Sequence, residues 1–312
     1  MHQLTARTKQ DLPNRFARPQ RAVPCHRQSR YACLIGLLWL ALASPPSHAA
    51  CNEHSLALQV LGSGGPIADD TRAGSGFLLW HQQKAIMLID AGGGVFQRFG
   101  AAGGNLRDLE LIALTHFHTD HVADLPALLK GAYFSDRERS LPISGPTGSS
   151  DFPFPSLEDF LERLFGSDNG AFAYLSGLLH GSDGLPRLQT ITIDHTDSNP
   201  RSVLATDTFS VEAVGVEHGI VPTVGYLIQI ANRRIAISGD QNLSTDDFTK
   251  LAHNADLLVM PMAIPEYDNP VALHARPSEI GAAAERANVN KLVLSHWMQR
   301  SLASQDQAIE LV

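Results

Sequence analysis

Cysteine is nearly absent from this chain: Cys25, Cys33 and Cys51 are all it has, and two of them precede the region that reads as a folded domain. A disulfide-stapled scaffold is thereby excluded, because a single thiol has no partner within the domain. Basic residues are scarce beyond residue 50. Residues 1–50 hold seven of the 24 Lys and Arg but only one of the 32 Asp and Glu, which leaves residues 51–312 at about −14. So acidic a surface repels polyanions and carries no basic patch, so composition argues against nucleic acid as a partner. Long apolar runs are missing as well; the stretch 32–43 spans 12 residues, too short to cross a bilayer comfortably. No convincing Ser/His/Asp arrangement is present either.

Residues 1–50 stand apart in character. Arg7, Lys9, Arg15, Arg18, Arg21, Arg27 and Arg30 outweigh the single acid Asp11, and the apolar stretch follows. A basic n-region, a short h-region and the small residues Ser47, Ala49 and Ala50 match a secretory signal. The expectation is a signal segment over 1–50 and a periplasmic or secreted protein. An uncleaved anchor, a start placed too early and lipidation of Cys51 stay open; the anchor and the lipidated Cys51 are the routes to a membrane. The remaining 51–312 is expected to form a single domain.

What the chain does have is Thr115-His116-Phe117-His118-Thr119-Asp120-His121, three imidazoles and a carboxylate directly after the apolar run 109–114. That run is short and partly β-branched, as a buried strand is. His116 and His118, two apart, share one face of an extended backbone, while Asp120 and His121 on the turn beyond address a second position. One loop can thus feed two cations about 3.5–4 Å apart, the separation of two-metal hydrolases. Any one of these residues alone is an ordinary polar side chain. The four together, between a strand and the helix-like 123–129, read as ligands.

The string HxHxDH resembles the signature of the metallo-β-lactamase superfamily. The pattern LGxGxP…R-x-GS across 61–75 is most similar to its ribonuclease Z and arylsulfatase/cyclic-nucleotide-phosphodiesterase branch. That resemblance implies an α/β fold, a four-layer αββα sandwich. It implies His218, in Glu217-His218-Gly219, as third ligand of one metal beside His116 and His118. Asp240, in Ser238-Gly239-Asp240, corresponds to a bridging carboxylate. His296, in Ser295-His296-Trp297, completes the second metal with Asp120 and His121. Asp90, in Asp90-Ala91-Gly92-Gly93-Gly94, is expected beneath the ligands, orienting them without touching metal.

Asp120 and His274 are the catalytic candidates. In ribonuclease Z relatives a histidine at the position of His274 acts with a glutamate in proton transfer. Here Pro261-Met262-Ala263-Ile264-Pro265 stands where that glutamate is expected, and Glu266 is the nearest acid. No counterpart of the Gly/Pro-rich basic arm that holds tRNA in ribonuclease Z is present.

Elsewhere, patterning predicts strands at 56–61, 189–193, 209–216, 256–260 and 291–294, with hairpins at 75–90 and 226–237. Helices are expected at 95–99, at 156–165 with Ser156 as cap, at 171–179, and at 278–287 with Pro277 at its first position. Residues 150–186 form a helical insert on this reading: a packing element first, with a lid over the pocket or a homodimer contact as the functional alternatives. The glycines at 62–65 either turn the chain or let the backbone pass close to the metal site.

Taken together, the sequence predicts an exported binuclear metal-dependent hydrolase that cleaves a small phosphodiester or sulfate ester with a metal-bound hydroxide, as phosphodiesterases and arylsulfatases do. Two Zn²⁺ ions suit the His-rich set, and Mn or Fe would suit the same ligands. One alternative is a ribonuclease Z-like tRNA 3′-processing endonuclease, against which acidity, export and the missing arm count. The other is a non-hydrolytic metal-binding or sensing protein on the same fold.

Overall fold

The computed structural model describes residues 56–268 and 273–312. The expected signal segment, the boundary at residue 50 and Cys51 lie outside them. Six strands follow one another across a first sheet: β1 (Leu56–Gly62), β2 (Gly76–His81), β3 (Lys84–Ile89), β4 (Leu111–Ala113), β5 (Leu141–Pro146) and β6 (Leu188–Ile193). The first three form an antiparallel meander, and β4, β5 and β6 continue parallel to β3. A second sheet repeats this plan with β7 (Arg201–Ala205), β8 (Phe209–His218), β9 (Val221–Ile230), β10 (Arg233–Ile237), β11 (Leu257–Pro261) and β12 (Leu292–Ser295). Here β7 to β10 are antiparallel, and β10, β11 and β12 are parallel.

Period-two alternation assigns consecutive side chains to different cores. Leu79, Met87, Ile89 and Leu111 of the first sheet meet Val211, Tyr226, Ile228 and Ile237 of the second between the sheets. Their neighbours Leu78, Leu88 and Ile112 point outward, against α1 (Val95–Ala101), α3 (Leu125–Lys130) and α4 (Leu157–Phe165). The helices α2 (Thr119–Val122) and α5 (Gly177–His180) are single turns on the same side. On the far side Leu227, Ala236 and Leu258 pack on α6 (Asp247–Leu251) and α7 (Pro277–Arg286), with α8 (Gln299–Leu302) and α9 (Gln305–Leu311) beyond. Helices, sheet, sheet and helices are the four αββα layers that the resemblance implied.

Several elements differ from expectation in extent. The hairpin expected at 75–90 turns on two residues alone: Lys84 pairs with His81, and Gln82 and Gln83 take φ of 50° and 64°, a turn whose twist matches the strands. The helix-like 123–129 is α3 alone, begun by Pro126 in its first turn, with α2 ahead of it. The expected helix at 171–179 breaks into a 3₁₀ turn, Ala173–Leu175, and α5. The chain folds back there so closely that a Cβ at Gly177 would meet the Ser182 carbonyl at 2.4 Å. The short elements β7, α6, α8 and α9 carry too little periodicity to be read in advance.

The strands that matter for function end on one side. The carboxyl ends of β3, β4, β8, β10 and β12 deliver Asp90, the 115–121 segment, His218, Asp240 and His296 to a common edge. Two bonds clamp the sheets there: Val224 N donates to the Thr115 carbonyl at 3.0 Å, and Tyr226 Oη to the Leu114 carbonyl at 2.8 Å.

Candidate metal centre

His116 and His118 follow β4 in extended backbone, and His118, at φ −65° and ψ 149°, opens α2, whose four residues carry Asp120 and His121. Ligand atoms of His116, His118 and His218 lie within 4.8 Å of one another, and so do those of Asp120, His121 and His296. Asp240 stands between these triads. Its Oδ2 is 3.0 Å from His296 Nε2, 3.6 Å from His121 Nε2 and 3.8 Å from His218 Nε2, the place a bridging carboxylate would take. The structure thus gathers all seven side chains named from sequence.

Tautomers make this cluster a set of donors. His121 Nδ1 donates to Asp90 Oδ2 at 2.7 Å, and His218 Nδ1 donates to the Leu273 carbonyl at 2.8 Å. Carboxylates and carbonyls only accept, so each ring carries a proton on Nδ1, and Nε2 is the atom it can offer to a metal. The buried Nε2 atoms of His116, His121 and His218 have no hydrogen-bond partner among the described residues. Buried polar atoms left bare are costly, and divalent cations would satisfy them. Three imidazoles on one side and a mixed His/Asp set on the other suit zinc. The residues present fit a metal pair.

Asp90 braces the set from below. It adopts φ +58°, a left-handed conformation costly for a non-glycine residue. Its carboxylate accepts from Thr115 N at 2.8 Å and Thr115 Oγ1 at 2.9 Å besides His121, and these bonds hold the strained residue in place. Thr115 Oγ1 in turn lies 3.1 Å from His116 Nδ1. From above, Trp297 N donates to the Ser63 carbonyl at 2.8 Å, which fastens the glycine-rich turn to the segment carrying His296. A Cβ at Gly65 would stand 2.9 Å from His296 Cε1, so this turn does pass close to the site.

Electrostatics divide the imidazoles into two kinds. Burial pushes His116 well below its ordinary value and lowers His118 and His218, leaving them neutral with lone pairs available. Burial opposes charge on His121 and His296 too, but there it is outweighed: Asp240 and Asp90 raise His121 well above the ordinary value, and Asp240 and Asp120 raise His296 to about 9. The same attraction overcomes burial at Asp240, where His296 and His121 hold the carboxyl well below the usual carboxylate range. Without metal, then, protons on His121 and His296 neutralise the two central carboxylates.

A cavity of about 470 Å³ opens above the cluster, walled by Phe117, Thr119, His274, Leu273, Met298 and Arg300. His274 is 7% exposed, and its ring lies 5.2 Å from that of His218 and 5.3 Å from that of His296. It also forms a ligand-like group with His218 and Asp240. Glu266 is engaged elsewhere: its carboxylate accepts from Ser278 N at 3.0 Å and Ser278 Oγ at 2.7 Å, capping α7. Arg300 and Phe117 were not singled out from sequence. Arg300 follows His296 by four residues, and Phe117 sits inside the motif itself, so position relative to the ligands was the available signal.

The profile of the Beta-lactamase superfamily domain matches residues 86–297. Ribonuclease Z of Mycobacterium bovis (strain BCG / Pasteur 1173P2) is 28% identical over 256 residues, covering 78% of this chain and 86% of that protein. Ribonuclease Z of Mycolicibacterium paratuberculosis is 28% identical over 261 residues, 80% of this chain and 88% of that protein. Among solved structures, the metallo-β-lactamase fold protein YhfI from Bacillus subtilis superposes with a TM-score of 0.62 at 21% identity, over 82% of this chain and 93% of its own. Human tRNase Z, short form, superposes with a TM-score of 0.61 at 23% identity, over 78% and 93%.

These relatives overturn two expectations. The reading as an exported hydrolase of a small phosphodiester or sulfate ester gives way, because the curated relatives spanning most of the chain are named ribonuclease Z. The exclusion of nucleic acid in favour of a small-molecule ester falls with it. Net charge sums a whole surface, whereas one cavity has a charge of its own: Arg300 lines this one, and cations in the donor set would make it more positive still. With the profile spanning the segment from β3 to Trp297, and every ligand inside it, the chain belongs to the metallo-β-lactamase superfamily of hydrolases, in its ribonuclease Z-like branch.

Proposed function

We propose that this protein is a ribonuclease Z-type endonuclease that hydrolyses a phosphodiester bond of precursor tRNA at its 3′ side. The observation that carries this reading is the alignment with ribonuclease Z proteins along 86–88% of their own length. The complete donor set in an open cavity is consistent with it. A metal pair held by His116, His118 and His218 on one side, Asp120, His121 and His296 on the other, and Asp240 between would supply an activated water and neutralise charge on the phosphoryl oxygens. Asp120 and Asp240, both ionised and both lining the cavity, would accept hydrogen bonds from an attacking water and so orient it toward phosphorus. Burial pushes His274 down to about 4, so its ring is neutral before substrate enters. A phosphodiester anion beside it favours the imidazolium, which then protonates the leaving oxygen as the P–O bond breaks. Glu266 takes no part, since α7 engages both of its oxygens.

The test uses the full-length chain loaded with zinc and a precursor tRNA carrying a 3′ trailer. Trailer removal at one position is expected, abolished by a chelator and restored by zinc. Asp120→Ala should lower turnover at least about 10³-fold, because it removes a ligand and an orienting group together. A fully metal-loaded protein that leaves precursor tRNA intact would overturn the reading.

A further inference from the structure

A phosphodiester fills only part of the cavity above the donor set; at about 470 Å³ the space lies in the range of sites that enclose a whole small molecule. The wall beyond the ligands is uneven in chemistry. Thr119, His274 and Arg300 are its polar members, Pro66, Leu273 and Met298 line it with aliphatic surface, and Phe117 is its one carbocyclic ring. Phe117 is also well braced. Phe160 of α4 stacks on it with centroids 4.5 Å apart and planes 6° from parallel. Gly145 at the end of β5 leaves room for the ring: a Cβ there would stand 3.3 Å from Phe117 Cε1 and Cζ. Leu157 closes the same corner, and the surrounding core holds the pair from behind. Its place in the chain sets its distance from the chemistry. Phe117 lies between His116 and His118 in the chain and lines the same cavity as His118, Asp120 and Asp240, so it extends the site by one side chain.

We propose that Phe117, backed by Phe160, is the stacking platform for the nucleobase flanking the scissile phosphate. This rests on the ribonuclease reading and names a subsite within it. A rigid ring beside the His/Asp floor, flanked by aliphatic Pro66, Leu273 and Met298, suits recognition through the face that every base has. The subsite therefore accepts a base without reading its identity. Phe117 positions the nucleotide, and the ligands and His274 act on its phosphate.

Cleavage kinetics on precursor tRNA test this with Phe117→Leu, Phe117→Tyr and Phe160→Leu, each checked for metal content. The substrates are the intact precursor and versions with an abasic nucleotide on either side of the cleavage site. Phe117→Leu is expected to raise KM roughly ten-fold, more than it lowers kcat, with Phe117→Tyr restoring it because the ring returns. One of the two abasic substrates should raise the wild-type KM by a similar factor and leave Phe117→Leu unaffected. If Phe117→Leu loses metal, Phe160→Leu decides instead, since it removes the bracing ring away from the ligand segment and should raise KM in the same direction. Wild-type cleavage with an abasic response that persists undiminished in these variants overturns the stacking role alone. Absence of RNA cleavage by the metal-loaded wild type overturns the ribonuclease reading and the subsite together.

Discussion

Asp90 shows how much one side chain can decide without touching a metal. It occupies left-handed backbone, accepts from Thr115 twice and accepts a third hydrogen bond from His121 Nδ1. Its charge makes the His121 ring a better ligand, and its position sets the ring's direction. Asn tolerates the same backbone conformation and keeps the shape, so Asp90→Asn should fold normally. The lost charge should weaken metal binding about 10- to 100-fold, measured by competition with a chromogenic zinc chelator. Unchanged affinity in a folded Asp90→Asn protein would remove Asp90 from the mechanism. Gly92 belongs to the same corner: a Cβ there would lie 1.9 Å from the Asp120 carbonyl, so a side chain at this position cannot coexist with the observed α2.

At the scale of elements, the segment between β11 and α7 departs most from what the family resemblance implied. The acid nearest in sequence to the missing glutamate is Glu266, and the helix takes both its oxygens through Ser278. The start of a helix exposes N–H groups that need acceptors, and a carboxylate meets that need while favouring the helix dipole. Glu266→Ala should therefore cost about 1 kcal/mol and lower Tm by a few degrees, while turnover per folded chain stays near wild type. A large loss of kcat in a protein that melts normally would return Glu266 to proton transfer. The insert at 150–186 supplies a contrasting element. Ser156 caps α4 through the Asp159 N–H, as its sequence pattern indicates, and Leu157, Leu161 and Phe165 are buried in the helix-side core. Its link to the site is Phe160, which no periodicity connects with Phe117.

Across the whole molecule, the candidate metal centre is a titrating core drawn from the strand ends of both sheets. Without metal, burial lowers His116, His118, His218 and His274. Such groups bind fewer protons folded than unfolded, so stability falls as pH drops from about 6.5 toward the value near 4 of His274. His121 and His296 behave oppositely: they hold protons in the fold that the unfolded chain releases. Their contribution is complete below about 6.5 and is lost as pH rises through the value near 9 of His296. The metal-free protein should thus melt at its highest temperature near pH 6.5, with Tm lower by several degrees toward both pH 5 and pH 9. Zinc should flatten the alkaline limb, because cations replace the same protons. Melting curves of chelator-treated and zinc-loaded protein check this, and a metal-free Tm that climbs steadily to pH 9 would contradict it.

Sequence by itself determined the donors and their order. HxHxDH after an apolar strand was readable because ligand chemistry needs particular residue types and strands show a period of two, and the family resemblance then marked His218, Asp240 and His296 as its partners. The αββα class came through the family resemblance that those donors carry, while patterning placed individual strands and helices. Only the tertiary structure decided the rest. It put the Asp240 carboxylate among three imidazoles, gave Glu266 to a helix end and turned Phe117 into a cavity wall through contact with Gly145 and Phe160. Those outcomes depend on residues far apart in the chain meeting in space, and composition misled for the same reason. A net charge is blind to where charges lie, whereas a site is made of the few that converge.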